Sequence, residues 1–543
     1  MRPMNPMKNT LRTLTVVLIA GIPMTGASVL GALQDQERQP PPRKTGLLRH
    51  HEGAFEGYTL FAPTFSTITY LIDMGGNVVH TWKGKAGPGQ SVYLLENGHL
   101  LRCERSPDNK VFQVGGGGGV VREYTWEGEQ VWEYVYSNDL YLQHHDIEPL
   151  PDGHVLILAW YRKNADEVVG AGRDPKTMTA GELWSEHVIE VEPVRPQGGN
   201  ITWEWHAWDH LIQDHDPEKA NYGNPAEHPE RIDINAGARP RELSPDEQRR
   251  LQDLGYIAPP TGGRRGRGDW LHINSIHYNA ELDQILLSVR HWSEIWIIDH
   301  STVSSQAAGH TGGASGRGGD LLYRWGNPQM YRIGTAADQQ LFNQHDAQWI
   351  EEGCPGAGNI LVFNNGAGRR DGYYSSVDEI APEVDENGLY TRPEGGAFPP
   401  SKPCWSYTDP DKSNFFSGFI SGAQRLPNGN TLICSGEQGR LFEVKPDGAI
   451  VWEYVIPFSR PMNPHFSGRV AQGFTPPPQG TNAGGTGPGG AGSPSFGRPF
   501  PGGPGGRGGV AGAFRATRLP PDHPGLAGRK LEPVAEADLP KDE

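Results

Sequence analysis

The stretch DWLHINSIHYNAELDQILLSVR, residues 269–290, alternates apolar and polar residues in the manner of a β-hairpin. Polar residues stand at both of its ends, with His272 and Asn274 near the start and Arg290 last. One hairpin alone does not explain this placement, whereas a repeat would bring several such ends together. The apolar residues expected to share one buried face are Ile273, Ile276, Ile285 and Leu287.

A tryptophan-containing strand recurs six times along the chain. Most copies follow a hairpin turn, as in LIDMGGNVVHTW and LFEVKPDGAIVWEY, and most are preceded by a second hairpin such as EPLPDGHVLIL. Asp-Gly and Asn-Gly between alternating apolar residues are strong hairpin signals. Each unit therefore predicts four antiparallel strands, and the six units predict an all-β fold, a six-bladed β-propeller. We interpret the recurring tryptophans as packing residues between blades: Trp82, Trp132, Trp203, Trp325, Trp405 and Trp452.

The predicted propeller spans residues 52–468 and carries a partly helical insertion at residues 208–268. Within this insertion SPDEQRRLQDLG predicts a helix that Ser244 caps and Gly255 ends. Residues 470–512 consist mostly of Gly, Pro and Ser, which is the composition of a flexible linker.

Blade one needs a strand from the C-terminal end of the chain. EGYTLFAPTFSTITYLIDMGGNVVHTW supplies three strands, and the RLPPD of AFRATRLPPDHPGL is similar to the hairpin QRLPNGN of blade six. We therefore expect residues 513–530 to close blade one, with the strand at 514–519 paired to the strand at 58–61. Closure of this kind removes an exposed strand edge. Residues 531–543 would then form a tail.

The N-terminus has the features of an export signal. The basic residues Arg2, Lys8 and Arg12 precede the apolar stretch LTVVLIAGIPM, and small residues follow it. Residues 1–32 are therefore predicted to be a signal peptide, and the protein is predicted to be periplasmic or extracellular. An uncleaved membrane anchor is the alternative, although the apolar stretch is too short for stable membrane insertion to be expected.

The composition argues against several classes of protein. Lys and Arg number 48 against 64 Asp and Glu, and the formal net charge of -16 argues against a nucleic-acid partner. The basic run GGRRGRGDW is interpreted as a solvated loop. VGGGGGVV, with its glycines at 115–119, is interpreted as a loop too, because it lacks the Lys-Ser/Thr and the following helix of a phosphate-binding loop. The 4 cysteines do not make a disulfide scaffold, and whether Cys354 pairs with Cys404 is left open.

Three histidines are expected to meet in the central channel. Aligning the inner hairpins on their turns places His145, His272 and His345 at the start of the innermost strands of blades three, four and five. Arg290 ends the second strand of blade four, close to the same face. Three imidazoles and one guanidinium would therefore share a single cup.

Such a cup suits two chemistries. Imidazoles bind transition metals, and Asp146 or Asp346 would be additional partners of the ion. Alternatively, imidazoles and an arginine hold an oxyanion group while one imidazole acts as nucleophile. The arginine favours the second chemistry, because a guanidinium repels a cation and matches a sulfate or phosphate. This interpretation requires no metal and no cofactor.

Four motifs, taken in order, resemble those of the bacterial arylsulfate sulfotransferases: YLIDMGGNVVHTW, HDIEPLPDG, DWLHINSIHYN and NQHDAQW. The resemblance covers most of residues 58–460. It implies a six-bladed propeller that moves a sulfuryl group from a phenolic sulfate ester to another phenol without a nucleotide donor. It also implies a ping-pong route through a sulfated histidine, with a small phenolic sulfate donor and a phenolic acceptor as partners.

The resemblance also implies a role for each polar residue of the cup. His345 of NQHDAQ matches the family's nucleophile, and His145 and His272 match its sulfate-binding histidines. Asn274 and Arg290 match the remaining polar contacts of the family's site.

Two neighbours of these residues are further candidates. His144 competes with His145 for the same role, although strand alternation would point one of the two away. Asp346 is a candidate to orient the ring of His345. Well-known members of the family carry a separate N-terminal β-domain that contributes to a dimer, whereas only a short segment precedes the first blade here, so the oligomeric state is left open.

Two other functions are compatible with the same residues. A non-catalytic propeller would use the cup to bind anions or partner proteins. A metal-dependent hydrolase or lyase would use the histidines as metal ligands.

Overall fold

The computed structural model describes residues 44–178, 181–237, 268–386, 388–458 and 512–541 of the chain. The described residues belong to one compact unit, Lys44–Glu543. The expected signal peptide, the helix of SPDEQRRLQDLG, the arginines of GGRRGRGDW and nearly all of the expected linker lie outside the described residues. No helix within the described ranges is long and apolar enough to cross a membrane.

Six antiparallel sheets of the described chain form the six blades, which confirms the predicted all-β propeller. The strands as far as the end of blade three are β1 (Gly46–His50), β2 (Tyr58–Pro63), β3 (Ile68–Ile72), β4 (Val78–Lys83), β5 (Pro88–Leu94), β6 (Leu100–Arg105), β7 (Gly119–Tyr124), β8 (Gln130–Val135), β9 (Tyr141–Pro149), β10 (Val155–Asn164), β11 (Glu182–Pro193) and β12 (Gly199–His206). The later strands are β13 (Leu211–Ile212), β14 (Ile232–Asp233), β15 (Ile273–Asn279), β16 (Gln284–Val289), β17 (Glu294–Asp299), β18 (Tyr323–Trp325), β19 (His345–Trp349), β20 (Ile360–Asn364), β21 (Ser376–Ile380), β22 (Trp405–Tyr407), β23 (Gly422–Arg425), β24 (Thr431–Ser435), β25 (Arg440–Val444), β26 (Ile450–Val455) and β27 (Ala513–Leu519). Blades two to six use β5–β8, β9–β12, β15–β18, β19–β22 and β23–β26, each from the inner to the outer strand.

Helices are short and lie in the connections between strands. The described part of the insertion packs on the core, since β13 pairs in parallel with β14 and Ile232 shares a buried cluster with Trp203. The helices of the described residues are α1 (Ala165–Gly170) and α2 (Ser304–Ala307), with 3₁₀ turns at Pro175–Thr177, Ala207–His210, Pro328–Tyr331, Lys412–Asn414, Gly436–Gln438, Pro524–Leu526 and Glu536–Asp538.

The C-terminal strand β27 provides the innermost strand of blade one. It pairs antiparallel with β2, and the register places Tyr58 opposite Leu519 and Phe61 opposite Ala516. The pairing that the sequence predicts between these two segments is therefore present. At the other end of the described chain, β1 adds a fifth strand to blade six by pairing with β26.

A ring of indole hydrogen bonds joins each blade to the next. Every tryptophan of the sequence repeat donates its ring N–H to an oxygen in the connection between the third and the outer strand of the following blade, and Trp452 of blade six donates to blade one. This geometry supports the interpretation of the tryptophans as inter-blade packing residues. The pairs are Trp82–Thr125 (3.2 Å), Trp132–Gly198 (2.8 Å), Trp203–Thr302 (3.1 Å), Trp325–Pro400 (2.6 Å), Trp405–Pro446 (3.3 Å) and Trp452–Met74 (2.9 Å).

The cysteine pair that the sequence left open is not formed. All four cysteines lie within the described residues and are free thiols. Cys354 Sγ lies 3.6 Å from the carbonyl oxygen of Arg425, and Cys404 Sγ lies 3.3 Å from that of Glu379. Each of the two thiols therefore has its own backbone partner.

Candidate active site

Irregular strand pairing changes the direction of side chains on three of the inner strands. In β9, β15 and β19 the register against the second strand of the blade shifts, as it does at a β-bulge. His145 (φ 52°) and Asp346 (φ 54°) have left-handed backbone conformations within these shifts, and His272 (φ 51°) has one directly before β15. A bulge bends the strand and redirects side chains that strict alternation would send to opposite faces.

Hydrogen bonds between inner strands correct the predicted alignment. Asp146 Oδ2 accepts the N–H of Ile276 at 3.2 Å, and Ser275 Oγ accepts that of Ala347 at 3.0 Å. Asp346 Oδ2 likewise accepts the N–H of Ala423 at 3.0 Å. The aspartates and Ser275 thus occupy equivalent positions of consecutive blades.

It follows that Asn274, and not His272, is the equivalent of His145 and His345. His145 lies in the middle of β9, His272 directly precedes β15, and only His345 begins its strand. The prediction that all three histidines begin the inner strands was therefore wrong. The bulges add unequal numbers of residues to the inner strands. Counting back from the hairpin turns therefore does not show which residues of different blades are equivalent.

The predicted cup nevertheless forms. We call His145, His272, Arg290, His345 and Phe514 the histidine cup. The rings of His145 and His272 lie 4.6 Å apart, and Phe514 of β27 lies 6.2 Å from the ring of His145 and 6.4 Å from that of His345. All five residues are buried, with 4% exposure or less. Elements far apart in sequence therefore bring these side chains together.

The cup keeps its imidazoles neutral. Burial, followed by the positive charge of Arg290, lowers the pKa of His345 and of His272 well below the usual value of 6.5. Burial and then the neighbouring His272 lower the pKa of His145 in the same direction. Each neutral ring retains one nitrogen lone pair, which nucleophilic attack or proton acceptance requires.

Asn365 selects the tautomer of His345. Its Oδ1 lies 2.7 Å from His345 Nδ1, while its Nδ2 donates to the carbonyl oxygens of Ser417 (2.7 Å) and Ile420 (2.9 Å). Because both amide hydrogens of Asn365 are used, its Oδ1 accepts from Nδ1–H of His345. The lone pair of His345 therefore lies on Nε2.

Asp346 does not orient the ring of His345, so that expectation was wrong. Its Oδ1 lies 2.7 Å from Arg515 Nη2, and the same nitrogen lies 2.7 Å from Asp146 Oδ2. Arg515 Nη1 donates to Tyr93 Oη at 2.7 Å. Both aspartates are thus paired with an arginine, and the set of metal ligands considered from the sequence is not assembled.

The side chain of His144 contacts that of His145 and does not point to the opposite face of the strand, which corrects the expectation from strand alternation. The two Nδ1 atoms are 2.9 Å apart. His144 Nε2 lies 2.7 Å from Glu186 Oε2, and its ring stacks on Trp160 with centroids 3.8 Å apart. The bulge in β9 allows both imidazoles to join one buried cluster.

Acidic and amide partners fix the other predicted residues. His272 Nδ1 lies 2.5 Å from Asp269 Oδ2, and its ring lies against that of His291 with centroids 4.8 Å apart. Asn274 Nδ2 donates to the carbonyl oxygen of Gln344 at 2.8 Å. Among the described residues its Oδ1 has no hydrogen-bond partner.

Sequence reasoning missed several of these residues: Glu186, Asp269, Asn365, Phe514 and Arg515. One signal was available for Asn365, since it directly follows the second strand of blade five, as Arg290 follows that of blade four. Asp269 was also within reach, since it lies three residues before His272 in DWLHINS. Glu186 gave no local signal, because its contact with His144 joins two different strands.

The backbone of the glycine-rich loop at residues 115–119 lies directly against the ring of His145. Gly116 has φ +90°, and its carbonyl oxygen accepts the N–H of His145 at 2.8 Å. A Cβ added at Gly116 would lie 1.9 Å from Cε1 of His145. Glycine is therefore required here both by the backbone conformation and by the close approach of the imidazole.

We expect Gly116→Ala to lower the rate of the sulfuryl transfer that the sequence resemblance implies by about 10²-fold, because a displacement of about 1 Å at a reacting group has that effect. Gly128→Ala is the matched control, since Gly128 has φ +88° but nothing within 4 Å of an added Cβ. Initial rates and thermal unfolding of both variants would be measured. Equal rates in the two variants would contradict the contact with His145.

The chain is similar to one protein family and to several solved structures. A family model described as Arylsulfotransferase (ASST) matches residues 46–385. No curated protein matches the chain. Among solved structures, a protein of unknown function from Bacteroides caccae is 12% identical, with 74% of this chain and 93% of that chain covered and a TM-score of 0.37. A streptogramin B lyase is 8% identical (77% and 87% covered, TM-score 0.33), and a catalytically inactive virginiamycin B lyase from Staphylococcus aureus with quinupristin is 9% identical (76% and 89% covered, TM-score 0.32).

Proposed function

The chain belongs to the arylsulfotransferase (ASST) family, and from this premise we propose that it moves a sulfuryl group from a phenolic sulfate ester to a phenol through a sulfated His345. The observation that carries the proposal is the pairing of His345 Nδ1 with Asn365, which leaves the Nε2 lone pair in the buried cup that contains Arg290. A neutral imidazole with a fixed tautomer is a competent nucleophile.

Sulfuryl transfer resembles phosphoryl transfer, in which charge spreads over three equatorial oxygens in a loose transition state. Positioning and electrostatic stabilisation then supply most of the catalysis. Arg290 is the cation that holds those oxygens in our proposal. His272 assists, because the carboxylate of Asp269 stabilises its imidazolium form once the anionic substrate is bound.

The leaving group is a phenolate, whose conjugate acid has a pKa of about 10. Its departure at neutral pH requires a proton donor, and His145 takes this role in the proposal. Phe514 supplies an apolar wall between His145 and His345, against which an aryl ring packs. In the second half of the ping-pong cycle a phenol attacks the sulfated His345, and His145 accepts its proton.

A metal-dependent hydrolase or lyase and a non-catalytic binding propeller are the competing functions. One assay separates all three: release of 4-nitrophenol from 4-nitrophenyl sulfate, with and without added phenol and with and without a chelator. We expect release that phenol stimulates and that chelator leaves unchanged, together with formation of phenyl sulfate. Loss of release with chelator would support the hydrolase, and absence of any turnover would support the binding propeller.

A further inference from the structure

We propose that Glu186 stores the proton of the transfer reaction and exchanges it with the phenolic oxygen of the substrate through His144 and His145. This inference rests on the proposed function. Glu186 does not touch the substrate in this scheme. It acts through the two histidines, and its effect is therefore specific to steps in which a proton moves.

A continuous chain of two short contacts connects Glu186, His144 and His145. Glu186 Oε2 lies 2.7 Å from His144 Nε2, and His144 Nδ1 lies 2.9 Å from His145 Nδ1. Glu186 Oε1 accepts the N–H of Ile273 at 3.0 Å, so Oε2 alone faces the histidine. The stacked ring of Trp160 holds the plane of His144. Glu186, His144 and His145 are each 3% exposed or less, so the chain of contacts is shielded from bulk solvent.

These contacts allow two arrangements of protons. When Glu186 is a carboxylic acid, its O–H donates to His144 Nε2, and His144 Nδ1–H donates to His145 Nδ1. His145 then carries a hydrogen on Nε2 and is a donor. When Glu186 is a carboxylate, every hydrogen shifts by one position and Nε2 of His145 becomes an acceptor. The protonation state of Glu186 therefore decides whether His145 gives or takes a proton.

The electrostatics favour the first arrangement in the empty site. Burial, and then the charge of the nearby Asp269 carboxyl, raise the pKa of Glu186 well above its usual value. Burial lowers the pKa of His144 to about 3, so its ring is neutral at neutral pH. Neutral His144 beside a carboxylic acid leaves His145 as a donor before the leaving group departs.

The protons and electrons balance in each half-reaction. The lone pair of His345 Nε2 forms the N–S bond, and the S–O bond to the aryl group breaks with its electron pair left on oxygen. That oxygen takes the hydrogen from His145 Nε2, His145 Nδ1 takes the one from His144, and His144 Nε2 takes the one from Glu186. A phenol is released and Glu186 becomes a carboxylate. Attack by the acceptor phenol reverses the shifts and protonates Glu186 again.

Glu186→Gln tests the relay, because an amide can hydrogen-bond to His144 but cannot give up a proton. The readout is the single-turnover rate of phenol release for two donors, 4-nitrophenyl sulfate, whose phenolate is weakly basic, and phenyl sulfate, whose phenolate has a conjugate-acid pKa of about 10. We expect a loss of about 10²-fold for phenyl sulfate, as typical of a lost general acid, and only about fivefold or less for 4-nitrophenyl sulfate.

Glu190→Gln is the matched control. Glu190 lies on the same strand, β11, is 8% exposed and also contacts two histidines, with His300 Nε2 at 3.0 Å and His154 on the other oxygen. These histidines are outside the cup. The control should change both donors equally. His144→Gln, which interrupts the same chain one position later, should reproduce the donor-dependent loss of Glu186→Gln.

Equal losses for the two donors in Glu186→Gln, or in His144→Gln, would overturn the relay. The unmodified protein gives an independent measurement, since a relay that protonates the leaving oxygen should release both phenols at rates within about tenfold of each other. A much steeper dependence on the leaving group would also overturn the relay. If the unmodified protein turned over neither donor, the proposed function itself would fail, so the two failures are distinguishable.

Discussion

His345→Ala should reduce both sulfation of the protein and transfer to a phenol by about 10⁴-fold or more, which is the scale of removing a nucleophile. Without Nε2 there is no atom in the proposed position to form the N–S bond. Some stability should be lost too, because Asn365 Oδ1 is left without its donor, at a cost of roughly 1–3 kcal/mol. This loss should leave the propeller folded.

The measurement is incubation with an aryl sulfate and no acceptor, followed by mass spectrometry of the peptide that carries NQHDAQW. One sulfuryl group is expected on this peptide in the unmodified protein, and added phenol should remove it. His277→Ala is the control, since His277 of β15 lies outside the cup with its ring 6.0 Å from that of Trp349. Label on His145 or His272 would overturn the assignment of the nucleophile, and a fully active His345→Ala protein would refute the mechanism.

Arg515→Met should destabilise the propeller by about 3 kcal/mol. The substitution leaves the carboxylates of Asp146 and Asp346 buried without their shared cation, and breaking such a pair from one side costs roughly 3–5 kcal/mol. The lower end of the range applies because the side chain of Arg515 is 14% exposed. Unfolding by urea would measure the change in free energy.

Arg529→Met provides the comparison for this substitution. Arg529 lies in the same C-terminal segment, but its partner Glu127 is 69% exposed and 3.7 Å away, so a change of roughly 1 kcal/mol or less is expected. Replacing Asp146 and Asp346 by asparagine in Arg515→Met should restore much of the stability, because the buried charges are then removed together. Equal effects of the two arginine substitutions would contradict the bridging role of Arg515.

The fold could be predicted because its signals are local and repeated. Turn dipeptides predicted the strand boundaries, and the recurrence of tryptophans such as Trp82 and Trp452 predicted the number of blades. The closing strand was predictable for a related reason, since RLPPD repeats a motif of blade six. The three histidines and the arginine of the cup were found by the same spacing together with the family resemblance.

Several partners of the cup were harder to predict, because their contacts join different strands. Asn365 reaches His345 only when β19 and β20 are paired, and Glu186 reaches His144 across the blade. Local bulges also changed which residues of the inner strands are equivalent. Beyond an extra residue, the side chains of a strand point to the faces of the sheet opposite to those that strict alternation predicts. A strict two-residue period therefore misplaced His144, and the position of Asp346 next to His345 in the sequence suggested the wrong partner for its carboxylate.

Phe514 and Arg515 lie on β27, the last strand of the propeller, and this position determines when the cup is completed during synthesis. Ribosomes make proteins from the N-terminus, so His145, His272 and His345 all leave the ribosome well before β27. Until that strand inserts beside β2, the wall of the cup and the cation between Asp146 and Asp346 are both missing. We therefore expect a chain that ends before β27 to be inactive, so that the proposed transfer would begin only after this strand has been made.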